Sequence, residues 1–94
     1  MQTIKDLLSK ENTVVIDVRN DWEYQEEHIK GAVHIPLHEI PAHIDKIKKL
    51  NGPYVLYCHS GNRSSIAVNM LKQAGISNAY NGGGIFNMQK LILN

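Results

Sequence analysis

The feature that most restricts the fold of this chain is a series of short apolar runs separated by helical patterns. Residues 13–18, 32–36 and 53–58 are rich in β-branched and aromatic side chains, with little alternation of apolar and polar positions. A weaker run of the same kind covers residues 78–81. Runs of this length and kind are typical of strands that are buried on both faces, as in parallel sheets.

Helical patterns fill most of the intervals between these runs. The candidate helices cover residues 21–28, a segment from residue 40 to a stop at 51–52, residues 63–74 and residues 85–93. The clearest is 63–74, where Ser64 or Ser65 suits the start and Gly75 suits the end. Strands that alternate with helices predict an α/β fold, with a small, mainly parallel sheet of about four to five strands and helices on both faces.

The length and composition favour one small globular domain, residues 1–94. Hydrophobic residues make up 43% and charged residues 20% of the 94 positions, and the net charge is +1. A charge this small provides no general attraction to nucleic acid or to a membrane surface. The chain begins without a signal-peptide pattern and has no apolar run of about 18 residues. We therefore expect a cytoplasmic protein, and a mature form of an exported precursor remains the alternative.

Cys58 is the only cysteine, and its position in the predicted fold is the strongest functional signal. It ends the third apolar run, just before a short polar loop and the clearest helix. Backbone N–H groups in such a loop and first helical turn form an anion-binding cradle. Because helix N-termini and nearby cations lower a cysteine pKa from about 8.5 to roughly 3.5–7.5, we expect Cys58 to be largely a thiolate at neutral pH.

Two further residues of the loop support the same interpretation. Gly61 can adopt a positive φ without strain, which lets the loop curl so that its N–H groups point inward. Arg63 adds a permanent cation with forked donors suited to an oxyanion. Taken singly, Cys58, Gly61 and Arg63 fit a core residue, a turn residue and a solvated charge. Their joint spacing between strand and helix favours an active site.

The motif C-x-x-G-x-R-S, present as CHSGNRS at residues 58–64, resembles the active-site loop of the rhodanese family. Residues 16–37, IDVRNDWEYQEEHIKGAVHIPL, resemble the upstream signature of that family. The glycines at 82–84 resemble the glycine pair that precedes its last helix. The resemblance spans nearly the whole chain and implies a rhodanese-like single domain.

The same resemblance implies a two-step sulfurtransferase reaction with no cofactor. A donor such as thiosulfate would give its outer sulfur to Cys58 as a persulfide, and cyanide or a cellular thiol would then remove it. Arg63 would orient the anionic donor. Backbone N–H groups of the loop would cradle the persulfide; the loop residues are His59, Ser60, Gly61, Asn62, Arg63 and Ser64. The role of the His59 ring stays open, since it could tune sulfur transfer or point to solvent.

The residues that follow the first predicted strand are interpreted as structural support. Asp17 and Arg19 flank the strand end, and Glu23 lies four residues beyond Arg19, a spacing that would allow an ion pair on a helix. Trp22 and Tyr24 are expected to be core and pocket-wall residues. No metal site is expected, because the remaining histidines lack metal-ligand spacing and are interpreted as surface residues; they are His28, His34, His38 and His43.

Two other functions remain open from the sequence. A cysteine phosphatase or arsenate reductase also holds a thiolate in an anion-binding loop, but its pattern resembles C-x5-R. Here only four residues separate Cys58 from Arg63, which makes a tighter ring. The second alternative is a protein-binding module or a persulfide carrier, in which case the sulfur donor and acceptor would be proteins rather than small molecules.

Overall fold

A parallel four-stranded sheet forms the centre of the computed structural model, which describes residues 2–93. The strands are β1 (Val14–Asp17), β2 (Val33–His34), β3 (Tyr54–Cys58) and β4 (Ala79–Gly84), in the order β2-β1-β3-β4. The helices are α1 (Ile4–Leu8), α2 (Asp21–Glu26), α3 (Ile44–Lys49), α4 (Asn62–Gln73) and α5 (Ile85–Leu93), with a 3₁₀ segment at Leu37–His43. All paired strands are parallel, so their carboxyl ends meet at one edge.

Two hydrophobic clusters cover the two faces of the sheet. On one face, alternate β3 residues Tyr54, Leu56 and Cys58 belong to a cluster that also contains buried residues of α3 and α4. On the other face, Val55 and Tyr57 pack in a cluster with buried residues of α1 and α5. Since every β3 residue is buried, the strand has the unbroken apolar sequence that a doubly covered sheet requires. The predicted α/β fold with helices on both faces is confirmed.

The register between β3 and β4 is interrupted next to the carboxyl edge. Leu56 is aligned with Asn81 and Tyr57 with Gly83, so one extra residue of β4 bulges at this point. Gly84 then lies beside Cys58, and a Cβ at Gly84 would collide with the carbonyl group of His59. Glycine at this position therefore allows β4 to approach the polar loop. The observed strand, Ala79–Gly84, continues past the predicted end at residue 81 and includes the three glycines.

Several element boundaries differ from the sequence predictions. The capping residue of α4 is Gly61 at φ 97°, rather than Ser64 or Ser65, so α4 begins at Asn62. The predicted helix beginning at residue 40 is divided into the 3₁₀ segment, which contains Pro41, and α3. Proline lacks the N–H that would continue an α-helical hydrogen-bond pattern. Helix α1, which begins with a capping box formed by Thr3 and Asp6, was not predicted.

Within residues 2–93, no helix is both long and apolar enough to cross a lipid bilayer.

Candidate active site

Cys58 lies at the carboxyl end of β3, where the chain turns sharply into α4. Its Sγ accepts a hydrogen bond from the Gly61 N–H at 3.0 Å, and the Ser64 hydroxyl lies 3.5 Å away. The positive φ of Gly61, 97°, closes this turn, as glycine permits. Cys58 is only 1% exposed, so a slender terminal sulfur atom suits the site better than a bulky electrophile.

The loop lowers the pKa of the Cys58 thiol. Burial is the largest single influence and acts in the opposite direction, since desolvation disfavours the thiolate. Hydrogen bonds from the Ser64 hydroxyl and from the backbone N–H groups of Ser64, Ser60 and Gly61 outweigh it. These donors converge on the sulfur from one short stretch of chain. The arrangement therefore stabilises negative charge on Sγ.

Arg63 forms a forked ion pair with Glu23 of α2. Its two Nη atoms lie 2.7 and 2.9 Å from the two carboxylate oxygens of Glu23. The hydrogen bond from Arg63 is the main reason that the pKa of Glu23 falls to about 2. The sequence prediction that Glu23 pairs with Arg19 was wrong, because Arg19 precedes the Asn20 cap of α2 and so lies outside the helical spacing.

Asp17 anchors a buried polar network beneath the site. Its carboxylate, which is inaccessible to solvent, accepts hydrogen bonds from Arg19 Nε and Nη2 at 3.0 and 2.8 Å and from the Tyr57 hydroxyl at 2.7 Å. The Tyr57 hydroxyl also accepts the Ile29 N–H, and Arg19 Nη2 donates to the Glu27 carbonyl. Burial raises the pKa of Tyr57. This network joins β1, β3 and the segment after α2.

Asn81 is a site residue that the sequence analysis did not identify. Its Oδ1 accepts hydrogen bonds from the Ser64 hydroxyl at 2.7 Å and the Gly83 N–H at 2.8 Å, while its Nδ2 donates to the Gly61 carbonyl at 3.1 Å. The amide therefore joins the bulge of β4 to the turn at Gly61 and to Ser64 in the first turn of α4. The only sequence signal was an asparagine before three glycines, which by itself suggests a turn.

The predicted loop residues do not all contribute to stabilising the Cys58 sulfur. Ser60, Gly61 and Ser64 contribute to stabilising Sγ, whereas the side chains of His59 and Asn62 lie toward the exposed side of the loop. The His59 ring meets Phe86 edge-on at 6.3 Å between ring centroids. His59 thus belongs to the outer wall of the site.

A cleft of about 200 Å³ opens beside the loop, and we call it the rim cleft. It is lined by Arg19, Trp22, Glu23, Glu26, Glu27, His59, Ile85 and Phe86. The side chain of Trp22 is 63% exposed, so the prediction that it is a core residue was wrong, although it does form part of the cleft wall. Tyr24 is partly buried and stacks between His28 and His34.

The histidines differ in their surroundings. His34 is partly buried and its Nε2 lies 2.8 Å from the Arg19 carbonyl oxygen, whereas His38 is exposed. His43 is partly buried beside the Glu39 carbonyl. His34 and His43 are thus surface residues whose rings are only partly exposed. Among residues 2–93, no group of three or more His, Cys, Asp or Glu side chains is arranged to hold a metal ion.

The Ser64→Ala substitution is expected to raise the pKa of Cys58, because it removes a hydroxyl dipole 3.5 Å from Sγ whose single proton is shared with Asn81 Oδ1 at 2.7 Å. The measurement is the ultraviolet absorbance of the Cys58 thiolate as a function of pH, which requires no reagent to reach the buried sulfur. The thiolate forms above the pKa of the thiol, so the titration profile of the variant should move to higher pH. Ser65→Ala, at an exposed neighbouring serine, is the matched control. Identical profiles for both variants would contradict the role given to Ser64.

A parallel α/β sheet with an ionisable cysteine in a backbone N–H loop defines a class of domains that carry out chemistry on a thiolate. The chain belongs to the Rhodanese-like domain family, whose family model matches residues 1–90. Thiosulfate sulfurtransferase PspE of Escherichia coli is 37% identical over 71 residues, which cover 74% of this chain and 68% of that protein. A solved structure described as a rhodanese with anions from E. coli has a TM-score of 0.74 and 33% identity, and the match covers 80% of this chain and 89% of the other.

YrkF of Bacillus subtilis, which is named as a candidate sulfur carrier protein, is 37% identical over 73 residues. The match covers 78% of this chain but only 39% of YrkF, so the chain spans well under half the length of that relative. Named sulfurtransferases are thus found among the relatives of this chain, together with a longer protein named for sulfur carriage.

Proposed function

We propose that this protein is a sulfurtransferase in which Cys58 carries the transferred sulfur as a persulfide. The observation that carries the proposal is the convergence of loop donors on Sγ, which lowers the pKa of Cys58 despite its burial. The thiolate, rather than the thiol, is the nucleophile in reactions at sulfur. The names of the sulfurtransferase relatives support the same reaction class.

The proposed first step transfers sulfur to the protein. The Cys58 thiolate attacks the outer sulfur of thiosulfate, a new S–S bond forms at Sγ, and the S–S bond of the donor breaks as sulfite leaves with the electron pair. In the second step cyanide or a thiolate attacks the outer sulfur and Cys58 leaves as a thiolate. The cycle consumes no external oxidant and needs no cofactor.

The loop supports both steps through its backbone donors. A terminal persulfide sulfur is small and negatively charged at neutral pH, so it suits a ring closed by Gly61 and the first turn of α4. Four residues separate Cys58 from Arg63, which favours a single sulfur atom over a tetrahedral phosphate. Phosphatase or arsenate reductase activity is therefore the weaker alternative.

A persulfide carrier is the second candidate function. The name of YrkF supports it, and such a carrier would use the same Cys58 chemistry with proteins as donor and acceptor. The two candidates differ in whether small molecules turn over efficiently.

Steady-state formation of thiocyanate from thiosulfate and cyanide tests the proposed function. A covalent persulfide intermediate requires ping-pong kinetics, with parallel lines in double-reciprocal plots. Intersecting lines would contradict a free persulfide intermediate. Absence of thiocyanate, combined with sulfur exchange to protein thiols, would favour the carrier over the enzyme.

In the same assay, Arg63→Ala is expected to lower kcat/KM for thiosulfate by about 10- to 100-fold, the effect of losing one hydrogen bond between charged groups. Two Nη atoms of Arg63 contact Glu23, yet a guanidinium has further N–H donors for an anion. The double variant Glu23→Gln/Arg63→Ala is the control, since it removes the carboxylate that the single variant leaves without its partner. Unchanged kcat/KM in both variants would contradict the role of Arg63 in donor binding.

A further inference from the structure

The rim cleft carries more negative than positive charge. Arg19 is paired with Asp17 at 2.8 Å and Arg63 with Glu23 at 2.7 Å, so both arginines near the site are neutralised by carboxylates. Glu26 and Glu27 also line the cleft, and both are exposed. Within residues 2–93 neither of these two carboxylates has a side-chain hydrogen bond or an ion pair. The rim cleft, which meets the Cys58 loop at His59, therefore carries two carboxylates that have no ion pair among residues 2–93.

This rim contrasts with the interior of the site. The backbone donors around Sγ favour an anionic sulfur, whereas Glu26 and Glu27 in the rim cleft repel small anions and attract cations. A doubly charged donor such as thiosulfate is attracted by the donors around Sγ but repelled by the two carboxylates. A sulfur anion with cationic neighbouring groups is attracted by both, since the anion interacts with the donors and the cations interact with the carboxylates.

Two exposed aromatic rings flank the same cleft. Trp22 is 63% and Phe86 62% exposed, although both are large apolar side chains. Exposed aromatic residues are enriched in protein interfaces, and an aromatic face also attracts Lys or Arg side chains. Phe86 is additionally in edge contact with His59, which places the aromatic rim next to the loop that holds Cys58. The rim thus offers apolar contacts and negative charge together.

We propose that the rim cleft is the docking surface for an acceptor protein whose reactive cysteine is flanked by Lys or Arg residues. The proposal rests on the sulfurtransferase function and specifies its acceptor. Basic neighbours would pair with Glu26 and Glu27, and they would also lower the pKa of the acceptor cysteine, so that it arrives as a thiolate. A protein segment, unlike a free small thiol, can contact Trp22 and Phe86 at the same time.

The transfer step balances without another reactant. The acceptor thiolate attacks the outer sulfur of the Cys58 persulfide, and a bond forms between that sulfur and the acceptor. The bond between the outer sulfur and Cys58 Sγ breaks, and its electron pair returns to Sγ as the thiolate. The loop donors that lower the pKa of Cys58 make it a good leaving group.

The experiment separates loading of Cys58 from transfer. The protein is first loaded with thiosulfate or with an organic persulfide, and loading is verified by intact mass. The second-order rate of sulfur transfer is then measured to three cysteine peptides of equal length, flanked by Lys, Gln or Glu. Rates are divided by the thiolate fraction of each peptide, which removes the difference in ionisation. The lower basicity of the Lys-flanked thiolate then acts only to slow it, because thiolate nucleophilicity falls with pKa.

We expect the Lys-flanked peptide to react at least about 10-fold faster than the Glu-flanked peptide at low ionic strength, with a smaller ratio at high salt. Glu26→Gln/Glu27→Gln should reduce this ratio and at the same time increase the rate of loading by thiosulfate. Opposite changes for the two reactions cannot arise from a simple loss of folding. Glu11→Gln/Asp45→Asn makes the same change in net charge at exposed positions outside the cleft and should leave the ratio unchanged.

Equal rates for the Lys- and Glu-flanked peptides, or a ratio that survives in Glu26→Gln/Glu27→Gln, would overturn the docking proposal alone. Failure of Cys58 to accept sulfur from either donor would overturn the proposed function, and the docking proposal with it. Trp22→Ala is the further test of the aromatic contact. It should slow transfer to a peptide acceptor more than transfer to cyanide, and equal slowing would contradict a contact between Trp22 and the acceptor.

Discussion

The Cys58→Ser variant is expected to lose sulfur transfer, to below about one thousandth of the wild-type rate, because the covalent nucleophile is removed. A serine hydroxyl is not ionised at neutral pH and cannot form a persulfide. The chain contains no other cysteine that could replace it. The measurement is thiocyanate formation from thiosulfate and cyanide at equal protein concentration.

The fold of this variant should persist. Serine is close to cysteine in size, and its Oγ can accept the hydrogen bond that Gly61 N–H now donates to Sγ at 3.0 Å. Circular dichroism and thermal unfolding therefore provide the control, together with the activity of Ser65→Ala at the exposed neighbouring position. Substantial thiocyanate formation by a folded Cys58→Ser protein would eliminate the persulfide mechanism.

The Asp17→Ala variant is expected to lose about 3–5 kcal/mol of unfolding free energy, the usual effect of removing one partner from a buried ion pair. Asp17 is inaccessible to solvent, and its carboxylate is the acceptor for both Arg19 and the Tyr57 hydroxyl. Alanine would leave the Arg19 guanidinium with a single carbonyl partner in a buried position. The loss is large relative to the roughly 5–15 kcal/mol that stabilises a typical domain.

Urea unfolding at neutral pH measures this effect, and two variants serve as controls. Asp17→Asn keeps the shape and one acceptor oxygen, so its destabilisation should be smaller than that of Asp17→Ala. Glu11→Ala removes a carboxylate at an exposed position and should change the unfolding free energy by less than about 0.5 kcal/mol. An Asp17→Ala effect as small as that of Glu11→Ala would show that the buried network does not stabilise the fold.

The elements that were predicted from the sequence are those with a strong local pattern. β3 is buried along its whole length, so its five residues are apolar without alternation. Its neighbour α4 is long enough for helical periodicity to show, although its Ile66 is 53% exposed. The residues of the loop between them are contiguous in sequence, so the motif could be recognised from the sequence alone. Helix α1 has only five residues and contacts α5, so its stability depends on packing rather than on local pattern.

The polar contacts of the site were harder to predict because they join distant parts of the chain. Glu23 and Arg63 are 40 residues apart, as are Asp17 and Tyr57. The local spacing of Arg19 and Glu23 suggested a different pair, which fails because α2 begins only at Asp21. Asn81 reaches the loop through a bulge in β4, and a bulge leaves only a weak trace in sequence. Such contacts follow from strand order and register, which local periodicity does not specify.

The most direct test of the persulfide mechanism is the intact mass of the protein before thiosulfate, after thiosulfate, and after subsequent cyanide. The account predicts a gain of one sulfur atom on Cys58, then its loss in step with an equal amount of thiocyanate. The Cys58→Ser protein should show no gain under the same conditions. A wild-type protein that gains no sulfur from thiosulfate or from a persulfide donor would contradict the account.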